Sequence, residues 1–456
     1  MEVGVRLVGL LLRLLNLLFA PFYWLWGRDN RRVSPVTNPL LLQSATELAA
    51  AIRNGDLTSE ELVTVYISRV KEVNRLINAV VEERYRAATE DAKAVDRQIE
   101  EARKNGTLEE LVKEKPLLGV PFTVKESCSL AGLSNSVGCL ENAGSRATID
   151  GSVVGLVKKA GAIPLLVSNT PELCLGWETT NLLRGTTNNP YCLSRTPGGS
   201  SGGALLASGA SPFGLASDIA GSIRLPAAFC GVFGHKPTPG KDKKGHIPTL
   251  NDENFPKFLA VGPMTRRAED LHLLMKIMAG DSKKILRLDE PVDLRNVKVP
   301  IVYNNRPLNI LTLKFIEKLE DSVEISVTVM CGNHWRRPMS SSGRLSADSI
   351  YSRIVFILYN VSLFQKVLGD NGVLLYPVFN GQAHRHHGVF PKASGVMYTM
   401  VFNILGMPAT TVPMGIVNGL PVNMCLQVIA APNQDRLCLA VAKQLEAGFG
   451  GWKPPQ

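Results

Sequence analysis

The chain has 456 residues, of which 45% are hydrophobic and 20% are charged, and its formal net charge is +10. This composition is typical of a folded globular protein with a large core, and it excludes an intrinsically disordered chain. The basic residues occur in scattered pairs, without the aromatic interleaving of a nucleic-acid surface, so nucleic acid is not an expected partner. A mildly basic face near anionic lipid is the better use of this charge.

The N-terminus contains a long apolar segment, and residues 3–26 read VGVRLVGLLLRLLNLLFAPFYWLW. About twenty apolar residues can span a bilayer, and no small-residue cleavage site follows, so an uncleaved anchor over residues 1–32 is predicted. Arg6 and Arg13 interrupt the segment, which leaves a helix lying in the membrane interface as the alternative. We therefore expect a membrane protein with one N-terminal apolar helix, on the endoplasmic reticulum or a lipid droplet, and membrane lipid as a partner.

Two capping boxes predict the beginnings of helices. Ser44 and Thr58 are each followed, three positions later, by a glutamate, Glu47 and Glu61. This pairing satisfies the free N–H groups of a first helical turn. A long charged helix is then expected over about residues 80–104.

Short apolar strands alternate with helices through the rest of the chain. LLGVPFTV at 117–124 predicts a strand that ends on Lys125, and GAIPLLVSNT at 161–170 predicts another, with a helix before it. Further strands are predicted at 215–217, 372–379, 406–415 and 426–430, with helices at 204–208, 266–278 and 435–449. This alternation indicates an α/β fold. Residues 320–350 show no clear period and are expected to be irregular.

The cysteines and histidines give no pattern of a metal site. None of the eight cysteines forms a Cys-x-x-Cys pair, so they are expected to be core thiols rather than disulfide partners or zinc ligands. The one histidine cluster, AHRHH at 383–387, lacks the spacing of a known metal motif. A loop near the rim of an active site is the expected role for it, without a metal.

The glycine-rich block PGGSSGG, residues 197–203, needs a chemical explanation. Gly-x-Ser-x-Gly occurs there in two registers, on Ser200 and on Ser201, as it does in a nucleophile elbow. An elbow follows an apolar strand, however, and the preceding residues CLSRTP are typical of a loop. A phosphate-binding loop would need GKS or GKT, which is absent, and a flexible linker is disfavoured by the apolar flanks.

The glycine–serine blocks, together with a lysine at the end of an apolar strand, closely resemble the amidase signature family. The motifs in family order are LLGVPFTVKES, GAIPLLVSNTPE, TTNNPY, RTPGGSSGG, SDIAGSIRLPAAFCGVFGHKPT and GPMTRRAEDL. The chain is most similar to the fatty-acid amide hydrolases of the second type. The resemblance implies one amidase signature domain over residues 36–456, with a large mixed central sheet flanked by helices on both faces.

The resemblance also implies a role for particular residues. Ser222 matches the nucleophile, Lys125 the base and Ser200 the serine that bridges them in a Ser-Ser-Lys triad. A serine hydroxyl becomes a good nucleophile when a base takes its proton, and a lysine can be that base when it is neutral. The oxyanion hole matches four consecutive backbone N–H groups, those of Ile219, Ala220, Gly221 and Ser222.

The implied reaction is hydrolysis of fatty-acid primary amides or N-acylethanolamines to fatty acid and amine, through an acyl-enzyme and without a metal or organic cofactor. Three departures from the family pattern accompany it. Two residues are missing after Gly203, the region 305–370 is short, and Ala220 replaces a glycine and would be strained at a positive φ. An amidase of small soluble amides and an inactive relative are therefore kept as alternatives, and a homodimer is left open.

Overall fold

The computed structural model describes residues 30–240, 245–246, 255–303, 326–331, 364, 366–422 and 425–456, and isolated positions between 11 and 21. Most of the predicted anchor and most of the segment 320–350 lie outside these residues. The prediction of a single N-terminal membrane anchor is wrong on this structure, because none of the helices described combines the length and the apolar character needed to cross a membrane. The helix Tyr85–Asn105, for example, has 21 residues but is rich in charged side chains.

The described helices are short to medium in length. They are α1 Ala45–Asn54, α2 Ser59–Ile77, α3 Tyr85–Asn105, α4 Leu108–Glu114, α5 Ser152–Lys159, α6 Gly202–Ala207, α7 Arg224–Phe229, α8 Phe255–Phe258, α9 Ala268–Ala279, α10 Met400–Ile404 and α11 Asp435–Phe449. Short 3-10 helices cover Pro39–Leu42, Glu126–Cys128, Leu140–Asn142, Glu172–Cys174, Gly280–Lys284, Leu294–Asn296 and Phe390–Tyr398.

The described strands are β1 Val80–Glu83, β2 Pro121–Lys125, β3 Ile163–Ser168, β4 Thr180–Asn181, β5 Gly185–Thr186, β6 Phe213–Asp218, β7 Phe233–Lys236, β8 Ala260–Thr265, β9 Lys298–Tyr303, β10 Ser326–Cys331, β11 Val373–Pro377, β12 Ala409–Val412, β13 Ile416–Val417, β14 Leu420–Pro421 and β15 Leu426–Ala430. Nine of them form one sheet in the order β1-β3-β2-β6-β8-β7-β12-β15-β11. β2 is parallel to both β3 and β6, and the other pairs are antiparallel. The predicted large mixed sheet with flanking helices is confirmed.

The first helices follow the predicted caps. The Ser44 hydroxyl accepts the Glu47 N–H at 3.0 Å, and the Glu47 carboxylate accepts the Ser44 N–H at 2.7 Å. The long charged helix was predicted to begin near residue 80, and this is wrong, because α3 begins at Tyr85. Residues 80–83 instead form β1, which pairs antiparallel with the buried strand β3. A partner strand thus decides the structure of a segment whose charges resemble those of the helix that follows.

The centre of the sheet is buried along its whole length. Every residue of β2, β3 and β6 is buried, as expected where both faces of a sheet are covered. Phe122 of β2 stacks on Phe213 of β6 with ring centroids 5.3 Å apart, which fixes these neighbouring strands against each other. The seven cysteines whose side chains are described form no disulfide with one another, and six of them are buried, as predicted for core residues.

Candidate active site

Lys125 and Asp218 are the last residues of the neighbouring parallel strands β2 and β6. Parallel strands end at the same edge of a sheet, which is where α/β proteins commonly bind ligands. Lys125 is 1% exposed, and its Nζ donates a hydrogen bond to the backbone oxygen of Ser217 at 3.3 Å. Among the described residues this is the only hydrogen-bond partner of the amine, so the amine has capacity for another.

The loop 219–223, which joins β6 to α7, is folded around the Asp218 carboxylate. This carboxylate accepts the N–H groups of Gly221 at 2.7 Å and Ile223 at 3.2 Å. The Gly221 N–H is therefore occupied, in contrast to its predicted place in the oxyanion hole. The N–H groups of Ile219, Ala220 and Ser222 form no hydrogen bond within the part of the chain that the structure describes. Three of the four predicted donors thus remain open.

Ser200 and Ser222 are brought together from opposite sides of the site. The Ser200 hydroxyl, fully buried, donates to the backbone oxygen of Ser222 at 3.2 Å. Ser222 is 5% exposed, so it lies at the edge of the buried region. In the described residues, hydrogen bonds directly joining the Lys125 amine and the two serine hydroxyls are not present. The structure places Ser200 against the Ser222 backbone and Lys125 against the Ser217 backbone, and the predicted relay of side-chain hydrogen bonds stays a prediction.

The glycines of PGGSSGG allow the block to approach neighbouring backbone closely. A Cβ at Gly198 would lie 2.8 Å from Pro226 N, one at Gly199 would lie 2.5 Å from Gly176 O, and one at Gly203 would lie 2.6 Å from Pro226 O. Pro226 belongs to α7, directly after the loop that carries Ser222. Because these glycines carry no side chain, the block packs directly against Pro226 and Gly176, which keeps Ser200 beside Ser222. The Ser201 hydroxyl donates hydrogen bonds to the backbone oxygens of Ala79 and Asn169, which confirms its predicted role in stabilising the loop.

Arg224 anchors the loop 219–223 from the other side. Its guanidinium donates to Asp218 through Nε at 3.0 Å and Nη2 at 2.9 Å, with both side chains fully buried. Burial alone would raise the pKa of Asp218, but the charge and hydrogen bonds of Arg224 hold this pKa well below its ordinary value. The carboxylate therefore stays ionised and keeps its backbone donors.

Three residues from the last third of the chain support this pair, and sequence reasoning missed them. Thr399, Asn403 and Gln427 all accept hydrogen bonds from Arg224, at 2.9, 2.6 and 3.0 Å, the first of them through its backbone oxygen. Asn403 also donates to the backbone oxygen of Asp218 at 3.0 Å. Their only sequence signal is polarity inside apolar runs, as in TMVFNILG.

Gly221 has a φ of +120°, and a Cβ there would lie 2.5 Å from the Thr399 hydroxyl. That hydroxyl donates to the backbone oxygen of Ala220 at 2.7 Å. Ala220 itself is not among the residues with positive φ. Alanine is therefore unstrained at this position, and the left-handed conformation falls on the glycine that follows.

A second set of buried ionisable groups lies on β7. His235 joins the Thr410 hydroxyl at 2.7 Å and the Asp435 carboxylate at 3.2 Å, and all three side chains are fully buried. These three side chains are arranged like a hydrolytic triad, but their complete burial leaves no access for a substrate. The neighbouring Lys236 is also fully buried, and burial, followed by the charge of Arg224, lowers its pKa to about 7.

The histidine cluster at 383–387 forms a loop that contacts the segment preceding PGGSSGG. His384 lies 3.1 Å from the Glu178 carboxylate, and the His386 ring donates to the backbone oxygen of Leu193 at 3.0 Å. Groups of three or more potential metal ligands are not found within the described residues. The cluster is thus part of the surroundings of Ser200.

Comparisons with known proteins identify one family model and several similar chains. The family model "Amidase" matches residues 61–330. Fatty-acid amide hydrolase 2-A of Danio rerio is 38% identical over 523 aligned positions, covering 99% of this chain and 97% of that protein. Fatty-acid amide hydrolase 2 of Homo sapiens is 37% identical and covers 92% of each chain. The first alignment is longer than the 456 residues of this chain, so that relative contains segments which this chain lacks.

Solved structures show the same fold. A structure of "Fatty acid amide hydrolase" superposes with a TM-score of 0.74 at 21% identity, covering 91% of this chain and 87% of that chain. A bacterial aryl acylamidase of the amidase signature family superposes with a TM-score of 0.69 at 20% identity, covering 90% of this chain and 97% of that chain.

Proposed function

The chain belongs to the amidase family and is an amide hydrolase, and on this premise we propose that it cleaves fatty-acid amides with Ser222, Ser200 and Lys125 as its catalytic residues. The observation that carries this proposal is that two buried residues contact the segment from Ser217 to Ser222. Ser200 contacts Ser222 at 3.2 Å, and Lys125 bonds Ser217, at the end of the strand that leads to Ser222. We treat residues 36–456 as one catalytic domain.

The proposed mechanism moves one proton in each direction along the three residues. The Ser222 hydroxyl attacks the amide carbonyl carbon, and its proton passes through the Ser200 hydroxyl to the Lys125 amine. The tetrahedral intermediate then collapses, the C–N bond breaks, and Lys125 returns a proton to the Ser200 hydroxyl, which passes a proton on to the leaving amine. Water repeats the sequence on the acyl-enzyme and releases the acid.

The open N–H groups of loop 219–223 are suited to the developing oxyanion. Those of Ile219, Ala220 and Ser222 lack partners in the described structure, while Asp218 holds the loop between them. Fixed backbone donors stabilise charge that appears in the transition state, and each is typically worth about 10²–10³ in rate.

The substrate class is proposed from the relatives. Those named fatty-acid amide hydrolase 2 are 36–38% identical to this chain over nearly its whole length. A long-chain primary amide or an N-acylethanolamine is therefore the proposed substrate. A series of acyl chains tests this: kcat/KM that rises with chain length supports it, and a preference for short amides favours an amidase of small amides instead.

Labelling with a fluorophosphonate probe tests the catalytic residues. Ser222→Ala is expected to abolish labelling, and Ser200→Ala and Lys125→Met to slow it by about 10²–10⁴-fold, because they remove acid–base assistance. Ser68→Ala, at an exposed serine of α2, is the matched control and should label at the wild-type rate. Folded protein that shows no Ser222-dependent labelling would contradict the proposal and indicate an inactive relative.

A further inference from the structure

We propose that the loop 383–387, the AHRHH loop, holds Ser200 in place, with Glu178 and His384 as a pair of positioning residues. The inference rests on the proposed function, in which Ser200 relays a proton. The sequence of this loop carries three histidines that the proposed mechanism does not use. Its contacts are to Glu178 and to residues 193–196, which directly precede the glycine–serine block.

Glu178 and His384 form a buried hydrogen-bonded pair that fixes the loop at two points. They are 5% and 3% exposed, and His384 Nε2 lies 3.1 Å from Glu178 Oε1. The other carboxylate oxygen accepts the backbone N–H of His387 at 2.7 Å. Burial opposes the charge of Glu178, but the hydrogen bond and charge of His384 hold its pKa below the ordinary value. An ionised carboxylate only accepts, so His384 Nε2 carries a proton and is the donor in this hydrogen bond.

The AHRHH loop lies along residues 193–196, which lead into PGGSSGG. The Thr196 N–H donates to the His384 backbone oxygen at 3.0 Å, and the His386 N–H donates to the Ser194 backbone oxygen at 3.2 Å. The His386 ring adds a bond to Leu193 O at 3.0 Å. The Arg195 guanidinium also donates to the backbone oxygen of Ala383. Four consecutive residues before the block are therefore bound to one loop.

Both members of the pair connect to Gly198, two residues before Ser200. From His384 the connection passes through Thr196, whose hydroxyl accepts the Gly198 N–H at 3.1 Å. From Glu178 it passes through the adjacent Thr179, whose hydroxyl donates to the Gly198 oxygen at 2.6 Å. The hydrogen bonds thus connect Glu178 through His384, Thr196 and Gly198 to Thr179. The peptide bond between Glu178 and Thr179 closes this ring. Both polar groups of the Gly198 backbone are fixed by it.

Aromatic rings fix the plane of the imidazole. Phe229 meets the His384 ring edge to face with centroids 5.7 Å apart, and Phe379 lies 6.3 Å away. Phe229 is the last residue of α7, the helix that follows Ser222. A buried ion pair is weak evidence for stability, because packed apolar residues often serve equally well. Directional bonds that reach the backbone of the Ser200 segment give this pair a positional role instead.

His384→Ala tests the proposal in the full chain. We expect the rate of Ser222 labelling and kcat for a long-chain primary amide to fall by about 10- to 100-fold, since a displacement of about 1 Å can cost 10²-fold. KM should change little, because Ser200 acts in proton transfer rather than in binding. His384→Gln, whose amide N–H can reach Glu178, is expected to restore most of the rate. His272→Ala is the control, at an exposed histidine whose ring donates to the backbone oxygen of Leu288 at 2.8 Å.

Thr179→Val keeps the test decisive if His384→Ala does not fold. It removes only the hydroxyl that bonds Gly198, and it should lower kcat without changing KM. If His384→Ala or Thr179→Val folds and labels at the wild-type rate, the inference is overturned while the proposed function stands. The same holds if His384→Gln folds but labels no faster than His384→Ala. Wild-type protein without Ser222-dependent labelling overturns the proposed function, and the inference with it.

Discussion

Asp218 and Arg224 form a two-point ion pair with both side chains fully buried, and the same carboxylate binds the backbone on either side of Ser222. The bonds to Arg224 measure 3.0 and 2.9 Å, and those from Gly221 and Ile223 measure 2.7 and 3.2 Å. One carboxylate thus links the core of the protein to the loop that carries the proposed nucleophile. A substitution in this pair should therefore lower the free energy of unfolding and also displace the loop 219–223.

The first prediction concerns this pair. Arg224→Met leaves the Asp218 charge buried without its partner, and we expect the free energy of unfolding to fall by about 3–5 kcal/mol. Urea unfolding measures it. The control is Arg287→Ala, which breaks the exposed ion pair with Glu290 and should leave the urea midpoint unchanged. A midpoint for Arg224→Met equal to that of wild type would show that the pair contributes nothing.

The second prediction concerns Gly221. Gly221→Ala places a Cβ 2.5 Å from the Thr399 hydroxyl and at a φ of +120°, so the loop must move. We expect kcat to fall by about 10²-fold, because displaced oxyanion donors no longer meet the transition-state charge. Steady-state amide hydrolysis measures this. Gly155→Ala is the matched control, since its Cβ on α5 would meet nothing within 4 Å. Unchanged kcat for Gly221→Ala would rule out the loop as the oxyanion site.

The third prediction concerns Thr399, which bonds the Ala220 oxygen at 2.7 Å. Thr399→Val keeps the shape but removes the donor to the half-buried Ala220 carbonyl group, and an unpaired carbonyl group costs at most about 1–3 kcal/mol. We expect a lower free energy of unfolding and a lower kcat, with Thr399→Ser restoring both. Urea unfolding and amide hydrolysis measure them. If Thr399→Ser is as impaired as Thr399→Val, the methyl group rather than the hydroxyl is what matters.

Local signals in the sequence predicted the parts of the fold that local chemistry decides. The Ser44 capping box, the strand ending on Lys125 and the closing helix 435–449 all have strong patterns within a few residues. Residues 80–83 were assigned to a helix because their charges match it, while their strand structure depends on β3, more than 80 residues away. The predicted membrane anchor is wrong on this structure, since none of the described helices is long and apolar enough to cross a membrane.

The site shows the same division. Motifs select Lys125, Ser200 and Ser222 as candidate site residues. Thr399, Asn403 and Gln427, in contrast, are separated from Arg224 by 175 to 203 positions and belong to no motif. Folding alone brings these residues together. The bond from Gly221 to Asp218, which occupies one predicted oxyanion donor, is likewise visible only in three dimensions.

The last prediction concerns Lys236, fully buried on β7 with its amine 2.9 Å from the Pro237 oxygen. Burial and the Arg224 charge lower its pKa from 10.5 to about 7, although Asp218 and Asp435 oppose them. Between these values the unfolded chain binds a proton that the folded chain does not, so this group makes stability rise with pH there. Below the folded pKa both states are protonated, and the cost of burying the charge is fully present.

Lys236→Met removes this titration while keeping an unbranched side chain. We compare the free energy of unfolding of the variant with that of wild type by subtracting the second from the first. This difference should be most positive below about pH 7. Between about pH 7 and 10 it should fall by at most about 1.4 kcal/mol per pH unit. Urea unfolding at about pH 6, 7.5 and 9 measures this difference. Lys443→Met, at an exposed lysine of α11, is the matched control. A difference for Lys236→Met that does not vary with pH would mean that Lys236 keeps its proton throughout, and that its buried charge is offset by Asp218 and Asp435.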